Sequence, residues 1–167
     1  MIKKVYEPRL RAGAKRRIEM LPGTNGRVEM NGINISGPHA NGLLAIKKAI
    51  TEGTELPDEF YREHKGRSDT LLMTLGIMHL HLAPGSNELL FLIQYDDHVT
   101  YIEVNDHSPF AFDPNAVAYF QVNYLQLIYQ HEQEYSRMMK QLEKDRNAAI
   151  AAFKAGLKKP KGDDGEE

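Results

Sequence analysis

Met78-His79-Leu80-His81-Leu82 alternates apolar and imidazole side chains over five residues. Successive side chains of an extended strand point to opposite faces, so this period predicts a strand with Met78, Leu80 and Leu82 on one side and His79 and His81 on the other. Two imidazoles held side by side on a rigid sheet are poorly explained by packing alone. Histidine is the side chain best suited to moving protons or binding a metal near neutral pH. This strand is therefore the place to look for chemistry.

The residues around it predict an antiparallel sheet, with strands at about 71–82, 88–95 and 99–105. A three-residue loop, Asp96-Asp97-His98, would pair Leu92 with Ile102 and Leu90 with Val104 and gather four aliphatics on one face. Phe91, Ile93, Tyr101, Glu103 and Asn105 then fall on the other. A two-residue loop would set Glu103 opposite Leu90 and mix the faces, so register favours the odd loop. If the 71–82 strand pairs beside this hairpin, one face brings His79, His81, Tyr101, Glu103, Asn105 and His107 together.

Helices and turns flank the sheet. Asn41 can cap a helix through about Glu52, with Leu43, Leu44, Ile46, Ala49 and Ile50 near helical spacing and Gly53 as its stop. Leu56-Pro57-Asp58 starts a short helical or turn segment that ends near Lys65-Gly66. Upstream, Asn31-Gly32 between Arg27–Met30 and Ile33–Ser36 is a two-residue hairpin signal, because a type I′ turn needs positive φ at both central positions. Asp113-Pro114-Asn115 initiates a helix that could run to about Leu157, with Leu125, Ile128, Tyr135, Met138, Met139, Leu142, Ala149 and Phe153 in one stripe. Unbroken, it would span over ~60 Å at about 1.5 Å per residue. It is expected to break into two helices or to find a partner, a second copy of the chain being one.

The division expected is a basic N-terminal extension with a hairpin over 1–40, an α+β core over 41–112, a C-terminal helical extension over 113–158 and a disordered acidic tail over 159–167. The net charge of −2 hides an asymmetry: residues 1–27 hold eight Lys or Arg against Glu7 and Glu19, and the last five residues hold four acids. A basic arm suggests a polyanionic partner. With no cysteine, disulfides and thiolate metal sites are excluded. No apolar run approaches the ~18 residues of a membrane span, and the first residues lack the apolar stretch of a secretory signal. A soluble, cytoplasmic protein is expected.

Cleaving RNA without a metal needs a base for the 2′-OH proton, an acid for the leaving 5′-oxygen and a cation for the phosphorane charge. His79 or His81 and His107 supply the first two, and Tyr101 or Glu103 could orient an imidazole. Arg62, Lys65 and Arg67, with the Lys15-Arg16-Arg17 cluster, are the candidate RNA contacts. No cofactor and no metal are expected on this reading. Two alternatives remain: a His-ligated metal hydrolase, since His-x-His with a third His is a plausible zinc set, and a non-catalytic nucleic-acid or ribosome-binding protein. His39, His64, His98 and His131 are expected to face solvent.

Leu56-Pro57-Asp58-Glu59-Phe60-Tyr61-Arg62-Glu63, preceded by Gly53, resembles the LPD-x-F-x-R-acid segment of the YafO family of type II toxin mRNA interferases, usually grouped with RelE-like toxins. His79-Leu80-His81-Leu82-Ala83 matches that family's H-x-H-L-A strand sixteen residues on. Leu89 to Ile93 and Tyr101 to His107 match its following strands. The resemblance covers roughly residues 42–110, about 40% of the chain. It implies an α+β, RelE-like fold with helices packed on one face of a small antiparallel sheet. It implies an endoribonuclease that cuts mRNA at the ribosome and is neutralised by a protein antitoxin, with Arg62, His79, His81 and His107 at the matching positions. The first 40 residues and the long C-terminal helix have no counterpart in it.

Overall fold

The computed structural model describes residues 2–22, 28–31, 33, 35–61 and 69–157. The chain divides into two compact units, Met1–His131 and Glu132–Glu167. Within the first, strands β1 (Arg17–Met20), β2 (Glu29–Met30), β3 (Ile77–His81), β4 (Leu89–Gln94) and β5 (His98–Asn105) form one sheet. The helices are α1 (Pro38–Glu52), a single 3-10 turn at Asp58–Phe60, α2 (Thr70–Leu75), α3 (Pro109–Phe112) and the start of α4 (Val117–Leu157).

The fold is α+β, and its sheet is mostly antiparallel. β3, β4 and β5 pair antiparallel, while β1 and β2 lie in succession along the free edge of β5, both parallel to it. The basic segment thus contributes a strand, β1, to the sheet. Val5 N–H donates to the Gln94 carbonyl at 2.9 Å, and the Gln94 side chain bonds the backbone of Arg9 and Arg11 at 2.9 and 3.1 Å. The hairpin expected at Asn31-Gly32 does not form among the described residues. Asn31 N–H donates instead to the Val104 carbonyl at 3.2 Å, and neither Ile33 nor Ile35 is in a strand. Gly32 and Asn34 lie outside the described residues.

The strand expected over 71–82 is a helix followed by a strand. The Asp69 carboxylate accepts from Leu72 N–H at 3.1 Å and caps α2. Gly76, at φ 74°, ends it in the left-handed conformation and turns the chain into β3. A short apolar run such as Leu71 to Leu75 suits a strand or a buried helical turn equally well, and the cap and the glycine decide for helix.

The β4–β5 turn also differs from the odd loop expected. Tyr95 N–H donates to the His98 carbonyl at 2.9 Å, so only Asp96 and Asp97 lie between the two residues that close the turn. Leu92 pairs with Tyr101 and Leu90 with Val104, and Ile102 is the extra residue of a bulge opposite Phe91 and Leu92. The even loop and the bulge together restore the parity that the odd loop supplied. The exchange moves Tyr101 to the Leu90 face and Ile102 to the other.

Both faces are covered, contrary to the one-sided packing expected. Met78, Leu80, Leu90, Leu92, Tyr101 and Val104 pack with Ile46, Ala49 and Ile50 of α1. Ile77, Leu89, Phe91, Ile93 and Ile102 pack with Phe120, Tyr124 and Ile128 of α4. Burying each large aliphatic side chain contributes roughly 1.5–3 kcal/mol before entropy. α1 meets the end of β3 at Gly42, where a Cβ would lie 1.7 Å from the Leu82 carbonyl oxygen. No helix among the described residues is long and apolar enough to cross a membrane.

Candidate functional site

The period-two strand brings His79 and His81 to the α4 side of the sheet, and the loop after β5 brings His107 to them. The His79 and His81 ring centroids are 6.3 Å apart, and those of His81 and His107 are 5.7 Å apart. The face is not open along its length. His79 is buried against Phe91 and Phe110, at 5.9 and 5.4 Å, and Phe110 comes from α3. His81 and His107 are half-buried at the rim. Two of the three imidazoles are thus accessible, and the third forms the floor behind them.

The His81 ring is held in one orientation. Its Nδ1 lies 3.0 Å from the carbonyl oxygen of Ser86, in the β3–β4 loop. A carbonyl can only accept, so Nδ1 carries the hydrogen and the lone pair of the neutral ring sits on Nε2. The Ser86 hydroxyl donates to Glu88 Oε2 at 2.7 Å and accepts from Glu88 N–H at 3.0 Å. The His39 Nε2 of α1 lies 3.1 Å from the same carboxylate oxygen, so His39 is engaged there and does not simply face solvent. The Ser86 hydroxyl holds the Glu88 carboxyl below its ordinary range.

Glu103 is on the imidazole face as expected, in the cross-strand row His79–Phe91–Glu103–Glu29. It is fully buried. Its carboxylate accepts from Asn31 Nδ2, from the Tyr124 hydroxyl, from the Tyr119 hydroxyl at 3.1 Å and from Asn105 Nδ2 at 3.4 Å. These four donors occupy it. Burial, reinforced by Glu103, pushes the Tyr119 hydroxyl up to about 12 and raises that of Tyr124 further. Asn105 carries the cluster onward: its Oδ1 accepts from Asp106 N–H at 2.9 Å and from the Ser108 hydroxyl at 3.3 Å. Asp106 Oδ1 in turn accepts from Ser108 N–H at 2.7 Å. Glu103 therefore helps shape the loop that holds His107, two links away.

Tyr101 does not join the site. The bulge turns it to the α1 side, where it is buried and its hydroxyl has no hydrogen-bond partner among the described residues. Burial raises its ionisation far above neutral pH. Of the expected RNA contacts, Lys15 and Arg17 are exposed. Arg16 is buried, with Nη2 donating to the Arg11 carbonyl at 3.0 Å. Arg62, His64, Lys65 and Arg67 lie outside the described residues. A cleft of about 890 Å³ between residues 7–12 and 55–61 is lined by none of the three imidazoles. Among the described residues, no group of three His, Asp or Glu is placed to hold a metal ion.

His98 and His131, expected at the surface, are buried together between β5 and α4. Their Nε2 atoms are 3.3 Å apart, His98 Nδ1 lies 2.7 Å from Asp97 Oδ1, and His131 Nε2 lies 2.9 Å from Thr100 Oγ1. Tyr95 stacks on His98 at 4.4 Å. The helical signal for His131 was present, because 124, 128 and 131 fall on one face. The signal for His98 was lost with the odd loop, which took it out of the strand.

The chain matches no family model, no curated protein and no solved structure. The chemistry of the site therefore rests on its own geometry: an oriented imidazole, a second imidazole beside it, and a polar network supporting the loop of the second.

Proposed function

We propose that this protein is a metal-independent endoribonuclease that cleaves single-stranded mRNA with His81 and His107. The observation that carries the reading is the half-buried pair of imidazoles at the rim, 5.7 Å apart, the first with its Nδ1–H bound to the Ser86 carbonyl. His81 Nε2 takes the proton of a ribose 2′-OH. The 2′-oxygen attacks the adjacent phosphorus, and the bond to the 5′-oxygen breaks. His107, protonated, gives its proton to that leaving oxygen. The products are a 2′,3′-cyclic phosphate and a 5′-hydroxyl, with the protons balanced between the two rings. His79 backs the pair as a packed side chain rather than as a proton carrier.

The exposed Lys15 and Arg17 supply cations for phosphate contact, and Arg62, Lys65 and Arg67 remain the sequence's candidates beside them. The toxin setting, with a protein antitoxin and the ribosome as partners, is supported by the resemblance of residues 53–63 and 79–83 to YafO-like toxins.

The test is inducible expression with mapping of RNA ends, comparing the wild type with His81→Ala and His107→Ala. General acid and base groups each contribute about 10²–10⁴-fold, so either change should abolish growth arrest and new RNA ends. Cleavage that survives both changes in soluble, folded protein overturns the reading.

A further inference from the structure

The second unit, Glu132–Glu167, is described to Leu157 as the C-terminal part of α4. Met138, Met139, Leu142, Ile150, Phe153 and Leu157 are all exposed there. Their spacing of three, four and seven residues places them within one stripe about 120° wide, at 100° per residue. A helix seldom leaves so continuous an apolar stripe in water, and helices in proteins draw most of their stability from packing such a face. Arg146 is the single charged residue inside the stripe, and Ala149 and Gly156 are its small members.

We propose that this stripe pairs with the same stripe of a second copy of the chain, with the two helices antiparallel. A parallel pair sets each residue against itself. Arg146 would meet Arg146 inside the seam, Phe153 would meet Phe153, and Ala149 and Gly156 would leave empty layers. An antiparallel crossing centred between Asn147 and Ala148 removes each conflict. It sets Leu142 against Phe153, Met138 against Leu157, the large Met139 against Gly156 and the long Arg146 against Ala149. Asp145 of the second copy lies one turn from that Ala149, within reach of the Arg146 guanidinium, so the charge in the seam finds its opposite. Every residue of the seam lies between 138 and 157, about 30 Å of helix at ~1.5 Å per residue.

The chain contains no cysteine, so one introduced cysteine carries one spin label. Light scattering of the full chain should give twice the monomer mass, falling to the monomer in Leu142→Glu with Phe153→Glu. Circular dichroism checks that the double variant keeps its fold. Dipolar spectroscopy then reads the orientation. Labels at Asn147→Cys should lie close together. Labels at Lys140→Cys should be separated by an additional ~20 Å along the helix axis, from about 15 residues at 1.5 Å each. A monomer at all concentrations, or a dimer that survives the double substitution in folded protein, overturns the interface. Equal distances at the two label positions overturn the antiparallel arrangement. Purification only in complex with a different polypeptide would mean that another partner covers the stripe, and would overturn the proposal as well.

Discussion

His81 Nδ1 and the Ser86 carbonyl oxygen are 3.0 Å apart, and this one hydrogen bond fixes which nitrogen of the ring is basic. The bond closes the β3–β4 loop on the strand that starts it. Because Glu88 grips the Ser86 hydroxyl from both its backbone and its carboxylate, the carbonyl cannot swing away without breaking a second contact. The orienting role expected of Tyr101 or Glu103 thus passes to a loop serine and its neighbour.

Glu88→Ala should therefore act on His81 without touching it. Nitrogen-15 imidazole spectra of the wild type should show His81 with hydrogen on Nδ1, and the variant should show a mixture of tautomers. RNA cleavage should fall roughly tenfold, the kinetic equivalent of about 1.4 kcal/mol of lost positioning. A variant with unaltered tautomer and rate would remove Glu88 from the mechanism.

Gly42→Ala probes the packing of α1 on the sheet. The added methyl would sit 1.7 Å from the Leu82 carbonyl oxygen; the methyl has no rotatable bond of its own that could move it and the oxygen is backbone, so neither can rotate aside. In an open helix the same change would stabilise by about 1 kcal/mol. Here overpacking should instead cost ~3 kcal/mol or more, read as a lower urea midpoint with an unchanged slope. Neutral or increased stability would mean that α1 can move off β3.

How much of this was legible in the sequence depends on the scale of the signal. Strict alternation at Met78 to Leu82 gave the strand, its two faces and the meeting of His79 with His81. Asn41 to Gly53 gave α1 to within its first turn. What failed was local competition. Leu71 to Leu75 fits helix or strand, and only the cap at Asp69 and the positive φ of Gly76 separate them. The odd loop was the simpler way to keep parity, yet a two-residue turn with a bulge at Ile102 does it equally well. That single substitution of one device for another misplaced Tyr101 and hid His98. The parallel pairing of β1 with β5 joins residues some 80 positions apart, a distance over which no local pattern speaks.

Tyr101→Phe follows from the corrected register. The hydroxyl is buried on the α1 side without a hydrogen-bond partner among the described residues, so removing it relieves a desolvation cost of about 1–3 kcal/mol and touches no group of the imidazole site. The variant should cleave RNA like the wild type and be as stable or more so, measured by thermal melting and by RNA mapping. A large loss of activity with fold retained would restore the reading in which Tyr101 serves the chemistry.

Burial of His98 between β5 and α4 lowers its proton affinity below the ordinary value of 6.5, and Asp97 offsets this only in part. The folded state therefore binds its proton at lower pH than the unfolded chain does. Above pH ~6.5 both states are neutral at this ring and it adds no pH dependence; below that value the unfolded chain takes up the proton first, so stability falls as pH falls until the folded pKa is passed. Each unit of separation between the two pKa values is worth about 1.4 kcal/mol. Urea unfolding between pH 5 and pH 8 should show the decline in the wild type. His98→Gln should be less stable at pH 8 yet flatter toward pH 5, because its ring no longer titrates. If the two proteins lose stability in parallel as pH falls, the acid sensitivity belongs to another group, and the buried His98–His131 contact is a packing device alone.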